Sequence, residues 1–255
     1  SEIVLGRALS GRRSDVVIAT KFSATFDAST RQVTGDDASA EGIISACEES
    51  LRRLNTDYID LYQFHNNSFP ADEALPVRET LEKMVRAGKI RSYGWSTDYP
   101  DRADIFAQGA NCTAIQLQLN VLDDNPEMIA LCEKYDLAAI NRGPLAMGLL
   151  TGKYTATTKA SIDDVRGEKS PEWMKYFKDG LPNPTWLEKR DAIREILTSG
   201  GRTLTQGALA WLWARSEQTI PIPGFRTVKQ VEENTEAMKF GPLTPEQMHE
   251  IAELS

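Results

Sequence analysis

Short apolar runs of strand length recur along this chain, each followed by a longer stretch of helical period, and that alternation limits the folds open to it. The strand candidates are Val16 to Lys21, Tyr58 to Phe64, Ile90 to Trp95, Thr113 to Gln118, Leu137 to Asn141 and Thr219 to Ile222. Amphipathic stretches lie between them, at residues 38–55, 71–89 and 125–136. A strand that feeds a helix and then another strand makes a right-handed βα unit on a parallel sheet, so the class is α/β. Ser39 is placed to cap the first of these helices, Gly88 to close the second, and Asn125 before Pro126 to begin the third. Six βα units are countable, whereas a closed parallel barrel needs about eight. One interval breaks the rhythm. Residues 151–185 are polar and rich in Pro and Gly, and read as a long loop after a strand, either a lid or a surface insertion.

A chain of 255 residues with 41% hydrophobic content can bury one large core, so residues 1–255 read as a single domain. The net charge of −8, with no run of Lys and Arg, excludes a nucleic-acid groove and favours a small-molecule ligand. Cys47, Cys112 and Cys132 are odd in number and widely spaced, which speaks against a disulfide framework and a zinc knuckle. No segment has the apolar length of a membrane helix and no signal peptide is read, so a cytoplasmic protein is the expectation.

Polar residues gather where the predicted strands stop: Lys21, His65, Ser96 with Thr97, Gln116 with Asn120, and Asn141 with Arg142. In parallel α/β folds the carboxyl ends of the strands form the rim that faces the ligand. Alone, a lysine there can snorkel to solvent and a histidine can bond to backbone. Together at the ends of two nearby strands, Lys21 and His65 point to one pocket.

Seven segments, in order, carry a resemblance. "SEIVLGRAL", "VVIATKF", "LRRLNTDYIDLYQFHN", "LEKMVRAGKIRSYGWS", "IQLQLN", "GPLAMGLLTGKY" and "IPIPGFRTVKQVEEN" resemble successive segments of the aldo-keto reductases over essentially the whole chain. No one of them is specific; seven in sequence order are. The resemblance implies a (β/α)8 TIM barrel, of which about six units are present here, and hydride transfer between NADP(H) and a carbonyl or alcohol carbon. It implies that Lys21 and His65 belong to a catalytic tetrad whose tyrosine and aspartate would lie before Ser1, making the barrel N-terminally incomplete. Hydride delivery leaves negative charge on the carbonyl oxygen, which needs a proton from a nearby acid. In the family that acid is tyrosine, whose ordinary pKa of about 10 is lowered by an adjacent ammonium. Lys21 would be the ammonium, and His65 would orient and polarise the carbonyl.

The same resemblance assigns the cofactor positions. Ser96 and Gln116 match the residues that hold the nicotinamide carboxamide; Thr97 stands where many members have asparagine. Arg142 stands where many have a tyrosine stacked on the nicotinamide, and a planar guanidinium can stack as well. Gly143, Pro144, Leu145, Met147, Gly148, Leu149 and Lys153 match the loop along the pyrophosphate and ribose. Gly224, Phe225, Arg226, Gln230, Glu233 and Asn234 match the adenosine site, where a forked guanidinium at Arg226 suits a 2′-phosphate and so NADP over NAD. Asn66, where many members have a bulky aromatic, implies a more open or polar pocket. The expected partner is a small aldehyde, ketone or sugar-like carbonyl compound, or its alcohol. Two other readings stay open: a nucleotide-binding regulatory protein on the same fold without turnover, and a lyase or aldolase forming a Schiff base on Lys21.

Overall fold

The computed structural model describes residues 1–27, 29–30 and 32–254. The chain divides into two compact units, residues 1–117 with 126–139, and residues 118–125 with 140–255.

In the first unit, helix α1 (Glu2–Ala8) precedes strand β1 (Ala19–Phe22), a small antiparallel hairpin of β2 (Ala24–Phe26) and β3 (Val33–Asp36), and helix α2 (Ala40–Leu54). Strand β4 (Ile59–Phe64), helix α3 (Ala74–Arg86), strand β5 (Ile90–Ser96), helix α4 (Pro100–Ala107), strand β6 (Cys112–Gln118) and helix α5 (Pro126–Tyr135) follow. Strands β1, β4, β5 and β6 pair in that order, all parallel. The register sets Lys21 opposite Gln63, Gln63 opposite Gly94, and Ser96 opposite Gln116.

Because side chains alternate along a strand, this register sorts two faces. One carries the aromatic rings. Phe22 stacks on Tyr62 at 4.6 Å and on Phe64 at 5.3 Å, Phe64 meets Trp95 at 5.1 Å, and Trp95 meets Phe106 of α4 at 4.8 Å. The other face carries Lys21, Gln63, Gly94, Ser96, Ala114 and Gln116, and is polar.

Two of the expected caps form, at Ser39 and Gly88. The Ser39 hydroxyl accepts from the Gly42 N–H at 3.0 Å, and α2 turns its apolar stripe of Ile43, Cys47, Leu51 and Leu54 into the core. Gly88, with φ of +74°, follows the end of α3. That helix starts at Ala74 rather than Ala71, because residues 71–73 form a 3₁₀ turn. The run from Val16 to Lys21, read as a strand along its whole length, is a correction. The strand starts at Ala19, Val17 is 80% exposed and Lys21 is exposed. Among the described residues β1 pairs on one side only, with β4, so its alternate side chains stay open while Ile18 and Phe22 bury.

In the second unit, the last three residues of strand β7 (Ala138–Arg142) lead into a 3₁₀ segment at Ala146–Thr151. A two-residue hairpin of β8 (Phe177–Lys178) and β9 (Leu181–Pro182) precedes helices α6 (Pro184–Ala192), α7 (Arg194–Thr198) and α8 (Leu204–Arg215). Strand β10 (Thr219–Pro221), helix α9 (Val228–Glu236) and helix α10 (Pro245–Leu254) complete it. Within this unit β10 runs beside β7 as its neighbour in the sheet. Helix α8 opens on a capping box in which Thr203 and Gln206 exchange side-chain and backbone bonds. Every residue from Leu204 to Leu212 is buried, which accounts for the missing polar stripe. The stretch 151–185 has no helix before Pro184, yet it is anchored: Tyr154, Met174, Tyr176 and Phe177 are all buried.

Among the described residues no helix is long and apolar enough to cross a membrane, and no group of three acidic, histidine or cysteine side chains is placed to hold a metal.

Candidate active site

In the first unit the site residues sit on the polar face and at its upper rim. Lys21 is the penultimate residue of β1, and the Phe22 carbonyl beside it accepts from the His65 backbone N–H at 3.0 Å. His65 therefore stands one step beyond the end of β4, and its side chain is exposed like that of Lys21. Both thus stand at the ends of neighbouring strands, with His65 two residues further along than Lys21, which pairs with Gln63.

Ser96, Thr97 and Gln116 are buried at 2%, 0% and 3% exposure. The Thr97 hydroxyl donates to the Asn67 carbonyl and accepts from the Tyr99 N–H, both at 3.3 Å. The Gln116 amide nitrogen donates to Gln63 Oε1 at 3.3 Å. That bond reaches across β5, and Gly94 lies between. A Cβ there would come within 2.2 Å of the Ala114 carbonyl oxygen, so only glycine fits. Gln63, 1% exposed, is a member of this site that sequence reasoning missed. Its only sequence signal was an amide two residues before His65 inside an otherwise apolar run. Asn66 turns its side chain into its own loop, where Oδ1 accepts from the Ser68 N–H at 3.2 Å.

Tyr62 and Tyr93 lie on the opposite, aromatic face. Burial pushes both hydroxyls above the ordinary phenol range, and for Tyr93 the hydrogen bond to Glu82 adds to it. Neither is placed to serve Lys21 as an acid.

In the second unit the predicted cofactor positions converge. Gly143, Pro144, Leu145, Met147, Gly148, Lys153, Gly224, Phe225, Arg226 and Gln230 line one cleft of about 410 Å³. The loop takes this shape through left-handed backbone at Gly143, Ala146, Met147 and Gly148, with φ of 63°, 46°, 54° and 92°. On the other wall Thr227 caps α9 by accepting from the Gln230 N–H, and the Gln230 side chain accepts from the Arg226 N–H at 2.7 Å. Leu149 is fully buried and faces the core rather than the cleft. Glu233 and Asn234 lie further along α9, where the Glu233 carbonyl accepts from Gln206. Arg142, at the end of β7, donates to Gln118 Oε1 at 3.3 Å.

The cleft has an unforeseen wall from the 151–185 stretch. Arg166 donates to the Met147 carbonyl at 2.8 Å and forks onto Asp164 at 2.6 and 2.7 Å. Those charge-assisted bonds hold the Asp164 carboxyl far below the usual carboxylate range. Arg226 reaches the same carboxylate at 3.9 Å. Lys153, Arg166 and Arg226 thus line a cleft whose lining contains no Asp or Glu. Three cations, glycine backbone and the first turn of α9 suit a polyanionic ligand. A pyrophosphate with a 2′-phosphorylated ribose has that character, so the residues present fit NADP(H).

The Aldo/keto reductase family model matches residues 1–255. The chain is 30% identical to the uncharacterized oxidoreductase YqkF of Bacillus subtilis, over 97% of this chain and 76% of the relative. It is 31% identical to the NADP(+) aldo-keto reductase yakc of Schizosaccharomyces pombe, over 90% of this chain and 66% of the relative. Among solved structures, the holo form of an aldo-keto reductase from Bacillus halodurans superposes with a TM-score of 0.77 at 29% identity, covering 100% of this chain and 78% of that one. A glycerol dehydrogenase from Gluconobacter oxydans gives 0.83 at 27%, covering 99% and 76%. An aldo/keto reductase from Klebsiella pneumoniae in complex with NADP and acetate gives 0.69 at 25%, covering 99% and 75%. The chain belongs to the aldo/keto reductase family, and with it to the oxidoreductases of the TIM-barrel class. Aldo-keto reductases use NADP(H).

Proposed function

We propose that this chain transfers a hydride between NADP(H) and the carbonyl or alcohol carbon of an aldehyde, ketone or sugar-like compound. The observation that carries the reading is the cleft of the second unit, where Lys153, Arg166 and Arg226 outnumber the one adjoining carboxylate, Asp164, and which is lined by ten of the cofactor positions that the sequence singled out. Arg226 and Lys153 hold the phosphates, and the fork of Arg226 favours a 2′-phosphate. Ser96, Thr97 and Gln116 hold the nicotinamide carboxamide. The Gln116 nitrogen is committed to Gln63, which leaves its Oε1 to accept from the carboxamide NH₂.

Bound NADPH supplies the hydride. The chain supplies the electrostatics: His65 donates a hydrogen bond to the substrate oxygen, and the Lys21 ammonium favours the ionised form of the acid that protonates it. Removing either role costs on the order of 10²-fold or more in kcat/KM. The test follows NADPH oxidation with small aldehydes for the wild type, Lys21→Met and His65→Ala. Loss of that size in both variants is expected. A rate indifferent to both substitutions sinks the enzyme reading and favours the nucleotide-binding alternative.

A further inference from the structure

A single hydroxyl from the 151–185 stretch holds the start of the cofactor loop. Tyr176 is 3% exposed. Its oxygen accepts from Gln118 Nε2 at 3.1 Å and from Asn120 Nδ2 at 2.9 Å, and its proton goes to Asp123 Oδ2 at 3.2 Å. The Lys175 ammonium pairs with the same Asp123 carboxylate. A phenol offers one donor and two acceptor sites, so every one is used.

These bonds fix which way two amides point. With its nitrogen on Tyr176, Gln118 turns its oxygen to the Arg142 guanidinium at 3.3 Å; the flipped amide would oppose donor to donor. The same side chain fills the space beside Gly143, where a Cβ would lie 2.5 Å from Gln118 Oε1. Asn120 is pinned likewise: Nδ2 also donates to the Gly143 carbonyl at 3.0 Å, and Oδ1 accepts from the Leu122 N–H at 3.0 Å. The ring of Tyr176 already packs against Trp186 at 5.2 Å, so burying the ring does not by itself call for the hydroxyl network.

We propose that Tyr176 is a positioning residue whose hydroxyl, acting through Gln118 and Asn120, fixes Arg142 and Gly143 and so the guanidinium plane on which the nicotinamide stacks. This rests on the reading of residues 142–153 as the cofactor loop. It gives the long stretch a role in nicotinamide placement beyond covering the cleft. Burial, with Asp123 contributing, holds the Tyr176 hydroxyl above the ordinary phenol range, so it stays a donor at all working pH.

The experiment compares NADPH with 2′,5′-ADP, which lacks the nicotinamide, by calorimetric titration of the wild type, Tyr176→Phe, Gln118→Leu and the double variant. Losing the orienting bond weakens NADPH roughly five- to tenfold in either single variant, no further in the double, and leaves 2′,5′-ADP unchanged. Gln118→Leu carries the test should Tyr176→Phe not fold. Unchanged NADPH affinity overturns the proposal, as does an equal loss for both ligands, which would make the hydroxyl a mere anchor of the stretch. A wild type that binds neither ligand overturns the cofactor reading and this proposal with it.

Discussion

Gly94 shows how much one missing side chain can decide. It sits between Gln63 and Ala114 in the register, and the absence of a Cβ lets Gln116 reach Gln63 above it. Because the obstacle is a backbone carbonyl 2.2 Å away, it cannot yield as a flexible side chain would. Gly94→Ala is expected to destabilise the fold by about 1–3 kcal/mol, read as a lower urea midpoint at unchanged slope. Arg226 supplies a second test. Arg226→Ala should weaken NADPH roughly ten- to a hundredfold, since charged hydrogen bonds are lost, and leave NADH nearly unaffected; equal losses in the two titrations would remove the 2′-phosphate role. Lys21 and His65 were legible because each ends an apolar run with a residue that such a run does not otherwise use. Gln63 and Arg166 were not. The first hides within such a run, and the second acts through a bond to the Met147 carbonyl that nothing in local spacing announces.

Among the elements, α3, β5 and the turn after α4 are tied by one carboxylate. Glu82 accepts from the Tyr93 hydroxyl at 2.6 Å and from the backbone and side chain of Asn111 at 3.1 and 2.6 Å. Burial raises its pKa, but these hydrogen bonds outweigh burial and leave it below the ordinary value of 4.5. A carboxyl lowered in the folded state stabilises above its unfolded pKa and loses that contribution as pH falls through the folded one. Urea midpoints measured from pH 6 down to pH 3 should therefore fall more steeply for the wild type than for Glu82→Gln; parallel curves would show that Glu82 is not the group responsible. Capped, amphipathic elements such as α2 could be read from sequence because Ser39 and the stripe from Ile43 to Leu54 state both start and face. The hairpin of β2 and β3 could not, since its strand residues are all exposed and show no alternation. Helix α8 escaped for the opposite reason, being buried all round.

For the molecule as a whole, the three thiols report on one part only. Cys47, Cys112 and Cys132 all lie in the first unit and are buried, and burial pushes each up to about 12. A thiol in that state is a poor nucleophile. The native chain should leave Ellman's reagent unreacted and yield three equivalents once unfolded; prompt labelling under native conditions would mean that the first unit opens on its own. Its ring cluster from Phe22 to Phe106 offers an optical counterpart. Closely packed, asymmetrically held aromatic rings give near-ultraviolet circular dichroism that vanishes when tertiary packing loosens, so the first unit, with Trp95 at the centre of its cluster, adds its share to a gauge of order readable without a label.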